Sequence, residues 1–339
     1  MFHAWLRKCH LLSLWLVIPV TLLLLTGCDP STSSAPPPAT PGSSPSAGIA
    51  RLDKFVPTSG CGKTPHSQAG TSALEMLTSG GMSRSYLVHV PSGYSSSTPT
   101  ALVLIFHGAS SHNDPGVLTE TEQDTHFSRL ADQYHFIAVY PHSTVDPAGG
   151  ISWDTDTVAG ATMNVRFVSD LLNSLQATFC IDAHRIYATG HSSGGGMTNV
   201  LACTLARRIA AFAPVSGAFY LTSAGCYPAR AVPILEFHGT DDPKVPYTGS
   251  PDVYPAIIAW LQAWVTRDSC TAGPGLFFQQ ADVTGEQWTH CHAGVVVMHY
   301  RIEHGGHGWP GDPTPGRGAT QTIQATPLIW QFFQHYILP

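Results

Sequence analysis

Gly190-His191-Ser192-Ser193-Gly194 decides the reading of this chain. The pattern is G-x-S-x-G. It follows the apolar run Arg185-Ile186-Tyr187-Ala188-Thr189, which reads as a buried strand, and it leads through Gly195, Gly196 and Met197 into a helix-compatible segment ending near Ala206. Strand, glycine-flanked turn and helix are the setting in which such a pattern becomes a nucleophile elbow. The turn is strained and leaves no room for side chains beside the serine. The Ser192 hydroxyl is then pushed out at the top of a sheet, within reach of a substrate carbonyl.

Apolar and amphipathic segments alternate around this point. Strands are expected at Arg84–Pro91, Ala101–Phe106, Phe136–Tyr140, Ile209–Val215, Val232–Phe237 and Val295–Ile302, with helices at about 119–133, 163–178, 254–266 and 320–336. Ala101–Phe106 is continuously apolar, as in a central strand covered on both faces. The alternation predicts an α/β fold with a mostly parallel central sheet and helices on both faces. The stretch between the Ile209 and Val232 strands is short, so no large lid is expected.

A serine hydroxyl is a weak nucleophile and needs a base held in place by an acid. In α/β-hydrolases these partners follow in the order Ser, Asp or Glu, His. The strand containing Leu235-Glu236-Phe237 runs into His238-Gly239-Thr240-Asp241-Asp242, so Asp241 and Asp242 are both candidates for the acid. The loop after the last strand reads Glu303-His304-Gly305-Gly306-His307-Gly308-Trp309-Pro310 and offers His307 as the base, with His304 as a structural neighbour. The backbone N–H of Ser193, next after the nucleophile, and that of Ala109, in Phe106-His107-Gly108-Ala109, are the expected donors to the oxyanion. Trp153 and Trp309 are expected as exposed loop aromatics that stack on substrate. His290-Cys291-His292 with His299 has no metal-site spacing, and neither metal nor cofactor is expected.

Residues 1–28 have the basic start (Arg7, Lys8), apolar core (Leu11–Leu25) and Leu25-Thr26-Gly27-Cys28 ending of a lipoprotein signal peptide, with Cys28 as the lipidated residue. Residues 29–48, rich in Pro, Ser and Thr, form a tether. Residues 49–339 are expected to form a single α/β-hydrolase domain carrying this constellation. The expected location is outside the cell, on a lipid anchor. Of eight cysteines, Cys61, Cys180, Cys203, Cys226, Cys270 and Cys291 remain for three disulfides in an oxidising compartment. The pairing expected is Cys180–Cys203, Cys270–Cys291 and Cys61–Cys226, the first because both cysteines should lie at the bottom of the sheet. Removing Arg7 and Lys8 takes the formal charge from −6 to −8. With no basic stripe, nucleic acid is not an expected partner.

Long blocks resemble secreted feruloyl esterases of the polyhydroxybutyrate-depolymerase-like group: Ala177-Thr178-Phe179-Cys180-Ile181-Asp182, Arg185 to Gly190, Arg208-Ile209-Ala210-Ala211-Phe212-Ala213-Pro214-Val215-Ser216-Gly217, and Ile234 to Gly239. The similarity runs from about Gly60 to the C-terminus. It implies an α/β-hydrolase in which Ser192 is the nucleophile. The acid is the last Asp of H-G-x-x-D before Val245-Pro246-Tyr247, which is Asp242, and the base is His307. The implied activity is hydrolysis of hydroxycinnamoyl esters on plant cell-wall polysaccharide. The alternatives are a polyhydroxyalkanoate depolymerase, an acetyl xylan esterase, or a binding protein on a hydrolase scaffold.

Overall fold

The structure, a computed structural model, describes residues 55–339 apart from 113, 115, 146–148, 156–157, 222–224 and 315–317. The leader, Cys28 and the tether lie outside the described residues. In chain order the elements are β1 (Thr71–Ser79), β2 (Met82–Val90), β3 (Thr100–Phe106), α1 (Val117–Thr125), α2 (Phe127–Tyr134), β4 (Phe136–Pro141), β5 (Thr144–Val145), β6 (Ile151–Ser152) and α3 (Val158–Thr178). Then come β7 (Ile181–His191), α4 (Ser193–Thr204), β8 (Ala211–Val215), β9 (Ile234–Gly239), α5 (Ile257–Arg267), β10 (Ala272–Gln280), β11 (Val283–Thr289), β12 (Val297–Ile302) and α6 (Ala325–Phe333).

Ten strands form one sheet in the order β1-β2-β4-β3-β7-β8-β9-β12-β11-β10. From β4 to β12 every neighbouring pair is parallel; β1, β2, β11 and β10 extend both ends antiparallel. β5 and β6 make a separate two-stranded ribbon. The expected α/β architecture is therefore present. The sheet is wider than the sequence reading, because β1, β10 and β11 were not among the expected strands.

β3 explains why the interior has two halves. All seven of its residues are buried. Successive side chains point to opposite faces. Leu102, Leu104 and Phe106 join a core with residues of α3, α4 and α5, while Ala101, Val103 and Ile105 join one with residues of α1, α2 and α6. The helix expected over 119–133 is two helices. His126 adopts φ 56° between α1 and α2, and the Thr125 carbonyl accepts the Thr326 hydroxyl of α6. A tertiary contact thus takes a carbonyl that a continuous helix would use.

Among the described residues there are three disulfides: Cys61–Cys180, Cys203–Cys226 and Cys270–Cys291. Only Cys270–Cys291 matches the expected pairing. Cys180–Cys203 and Cys61–Cys226 are corrected, and the path of the N-terminal segment is the reason. Thr58 N donates to Ile181 O at 3.1 Å and Gly60 N to Gln176 O at 2.9 Å. A Cβ at Gly60 would lie 2.3 Å from Phe179 O. The segment therefore lies along the entry to β7 and delivers Cys61 to Cys180. Cys203, in the last turn of α4, meets Cys226 in the connection between β8 and β9.

Candidate active site

Ser192 stands between β7 and α4 with φ 57° and ψ −119°, a backbone conformation that L-residues rarely adopt. The surrounding structure leaves the turn no alternative. A Cβ at Gly190 would lie 2.5 Å from Gly194 O, and one at Gly194 would lie 2.1 Å from Phe106 O. These glycines are required by close backbone approach rather than by flexibility. Ser192 N donates to Val215 O at 3.0 Å and Ala218 N to Ser192 O at 2.9 Å. The end of β8 and the loop after it thus hold the serine backbone from one side.

On the other side lies the loop after β3. A Cβ at Gly108 would meet Ser192 Cβ at 3.4 Å, so Gly108 lies against the serine. His107 braces this loop. Its Nε2 accepts the Ser143 N–H at 3.0 Å. That nitrogen is therefore unprotonated, and Nδ1–H donates to Gly108 O at 2.6 Å. Burial pushes the His107 pKa down to about 4, which keeps the ring neutral. Ser110 N donates to Ile151 O at 2.9 Å and extends the brace to β6.

Trp153 belongs to the same brace. Its Nε1–H donates to His107 O at 3.1 Å, and its ring packs edge-on against Phe106, 5.0 Å between centroids. It is 1% exposed. Trp309 is 5% exposed, with Nε1–H donating to Thr326 Oγ1. The expectation that these two indoles are exposed platforms is corrected: each is buried, with its N–H satisfied inside the protein. Partly exposed aromatic rings lie instead near the loop after β8. Tyr220 and Tyr254 are half-buried with centroids 5.0 Å apart, beside the exposed Leu221 and Val253.

Asp242 and His307 meet. His307 Nδ1 donates to Asp242 Oδ2 at 2.6 Å. Asp242 is 4% exposed, and its Oδ1 accepts the N–H groups of Lys244 at 2.8 Å and Val245 at 2.9 Å. Burial alone would raise its pKa. The hydrogen bonds from His238 and His307 outweigh burial and hold the carboxyl well below the usual carboxylate range. His307 Nε2 is buried and has no hydrogen-bond partner. Because Nδ1 carries the hydrogen toward Asp242, Nε2 keeps its lone pair in the neutral ring. The His307 ring also packs on His191, 4.8 Å between centroids. Asp241 turns away to the surface and pairs with exposed His304 at 3.2 Å. Of the two candidate acids, Asp242 is the one in contact with His307.

Behind Asp242 lies a group the sequence reading missed. Glu236, His238 and His299 have no side-chain exposure. His238 Nδ1 is 2.9 Å from Glu236 Oε1, and its Nε2 is 2.9 Å from Val245 O and 3.4 Å from Asp242 Oδ2. His299 Nδ1 lies 2.7 Å from Glu236 Oε2, a charge contact off the hydrogen-bonding angle, and its Nε2 is 2.9 Å from Tyr247 OH. A visible signal was Glu236 itself, a carboxylate inside the apolar run Ile234-Leu235-Glu236-Phe237.

Cys291 is bonded to Cys270, and His299 faces the interior. Among the described residues no group of three or more His, Cys, Asp or Glu side chains is arranged to hold a metal ion.

Residues 84–243 match the family model described as Esterase PHB depolymerase, a span that includes Ser192 and Asp242. The chain is 29% identical over 272 residues to feruloyl esterase B of Piromyces equi, across 76% of this chain and 46% of that protein. It is 29% identical over 227 residues to a bifunctional acetylxylan esterase/xylanase of Neocallimastix patriciarum, across 67% of this chain and 31% of that protein. The chain thus spans less than half the length of these two relatives. An acetyl xylan esterase from Aspergillus awamori shares the fold, with a TM-score of 0.57 at 17% identity over 78% of this chain and 99% of that one.

Proposed function

We propose that this chain, an α/β-hydrolase by fold that is similar to the Esterase PHB depolymerase family over residues 84–243 and to a feruloyl esterase, is a serine carboxylesterase releasing hydroxycinnamic acids such as ferulate from plant cell-wall polysaccharide. The observation that carries the chemistry is the 2.6 Å contact of His307 Nδ1 with Asp242, with His307 Nε2 left unpartnered. Nε2 takes the Ser192 hydroxyl proton as Ser192 Oγ attacks the ester carbonyl. The N–H groups of Ser193 and Ala109 stabilise the oxyanion. The resulting imidazolium is held by Asp242 and returns its proton to the leaving alkoxide. Water, activated by the same nitrogen, then cleaves the acyl-enzyme.

The aromatic acyl group is supported by the Tyr220–Tyr254 pair. Tyr220 lies two residues beyond Ala218, whose N–H bonds the nucleophile's own carbonyl. Flat hydroxycinnamoyl rings suit stacking on such a pair. Deacetylation of xylan or cleavage of a hydroxyalkanoate polyester is the second reading, favoured by the family description and by the similarity to a relative described as a bifunctional acetylxylan esterase/xylanase. Three disulfides support export, and the leader ending in Cys28 supports a lipid tether.

Hydrolysis of methyl ferulate, acetylated xylan and polyhydroxybutyrate by the same preparation separates these readings. The expected result is methyl ferulate turnover at a kcat/KM at least about tenfold above that for either polymer, a gap of about 1.4 kcal/mol in transition-state binding. Turnover of one polymer with none of methyl ferulate reverses the assignment.

A further inference from the structure

We propose that His238, held between Glu236 and Asp242, is a positioning residue of the reaction: a buried, doubly protonated imidazole that fixes the Asp242 carboxylate for His307. This rests on the esterase reading above.

The hydrogen positions follow from the acceptors. A carbonyl can only accept, so His238 Nε2, at 2.9 Å from Val245 O, carries a hydrogen. The same hydrogen faces Asp242 Oδ2 at 3.4 Å. Nδ1 faces Glu236 Oε1 at 2.9 Å. An ionised carboxyl with no solvent access requires a cation or several donors. Glu236 has His238 on one oxygen and His299 on the other. Burial would raise the Glu236 pKa, but its hydrogen bond to His238 and its close charge contact with His299 lower it. For His238, burial would lower the pKa, and the hydrogen bonds to Asp242 and Glu236 instead bring it to about 10. Glu236 therefore keeps the proton on His238, and His238 presents positive charge to Asp242.

The remaining charged neighbours do not displace this pairing. Across the ladder from His238, β12 places Arg301, which is matched by Glu303 at 2.7 Å. His299, the partner of Glu236 in the same ladder, is backed by the Tyr247 hydroxyl. His307 occupies the other face of Asp242. Asp242 Oδ2 is thus shared by two imidazoles of different roles. His307 takes a proton from Ser192 and passes it to the leaving group, and His238 holds its own through the cycle. A fixed charge of this kind keeps Asp242 ionised and limits its rotation, so that Oδ2 stays on His307 Nδ1.

The test reads the ring directly and then reads its effect. In the full chain, long-range proton–nitrogen NMR of the histidine rings should show both His238 nitrogens protonated from about pH 6 to about pH 9, in keeping with the value near 10. In Glu236→Gln the ring should lose its proton at least about one pH unit lower. A wild-type His238 that is neutral at pH 7 overturns the proposal without reference to turnover.

His238→Gln keeps a donor toward Val245 O but removes the charge. Its kcat should fall about 10- to 100-fold with KM changed less than about threefold. The acid limb of its kcat/KM profile should move up by about one pH unit, because the His307 imidazolium faces a carboxylate no longer partly neutralised. A folded His238→Gln protein with an unmoved acid limb overturns the proposal. A wild-type chain that hydrolyses no ester would instead defeat the esterase reading, and the NMR result would still stand.

Discussion

Ser192→Ala is expected to lower kcat on a nitrophenyl acetate by about 10⁶-fold, the loss seen when the nucleophile of a serine triad is removed. The reasons are geometric. Ser192 sits at φ 57° in a turn whose flanking glycines admit no Cβ, so no other hydroxyl can be brought to the same point by a local shift. Removing Oγ leaves the braced β3 loop and the His307–Asp242 pair in place, and the residual rate should be that of oxyanion stabilisation and binding alone, about 10³- to 10⁴-fold over water. The variant should retain its three disulfides, because Cys203 and Cys180 lie at the far ends of α4 and β7 from the serine. Steady-state kinetics beside the wild type, with near-ultraviolet circular dichroism as the check on folding, measures this. A loss smaller than about 100-fold would mean that another group performs the attack.

Asp242→Asn should lower kcat by about 10⁴-fold, while Asp241→Asn should stay within about twofold of wild type. The contrast follows from hydrogen-bond directions. Asp242 Oδ1 accepts two backbone N–H groups, from Lys244 and Val245. An asparagine keeps its carbonyl oxygen there and must point its NH₂ at His307 Nδ1. Two donors cannot face each other, so the ring either shifts its hydrogen to Nε2, where no lone pair remains to take the serine proton, or moves away. Asp241 has no such role: its partner His304 is exposed, and so is Asp241. Equal losses in the two variants would contradict the assignment of Asp242 as the acid.

Much of the candidate site's layout was legible because its parts are local. The elbow announces itself through spacing and small residues, and the Ser, Asp, His order follows the strands. β3, β8 and β9 were readable because they are buried throughout, and β7 and β12 because their buried positions are largely apolar. β1 was not, because Ala73, Leu74, Glu75 and Met76 favour a helix locally and the strand is mostly exposed. β10 begins with Ala272-Gly273-Pro274-Gly275, which reads as a loop; pairing with β11 across two register shifts makes it a strand. The disulfide error had a similar source. Cys180 was assigned by its place on the sheet, but its partner came from a segment whose path depends on backbone bonds to Gln176 and Ile181. Trp153 and Trp309 lie in polar surroundings of sequence and read as exposed. Their burial depends on Phe106, Phe127 and Thr326, far away in the chain. The Glu236–His238–His299 group was hidden for the same reason: two strands must be paired in register before its members face one another.

The central claim is that Ser192, activated by His307, is the nucleophile of an esterase. Labelling the chain with a fluorophosphonate and mapping the adduct by mass spectrometry tests it most directly. The expected result is one adduct, on the peptide containing Ser192, that disappears in Ser192→Ala and is slowed by at least about 1,000-fold in Asp242→Asn. A folded wild-type chain that takes up no probe, or takes it up on another serine, would contradict the account.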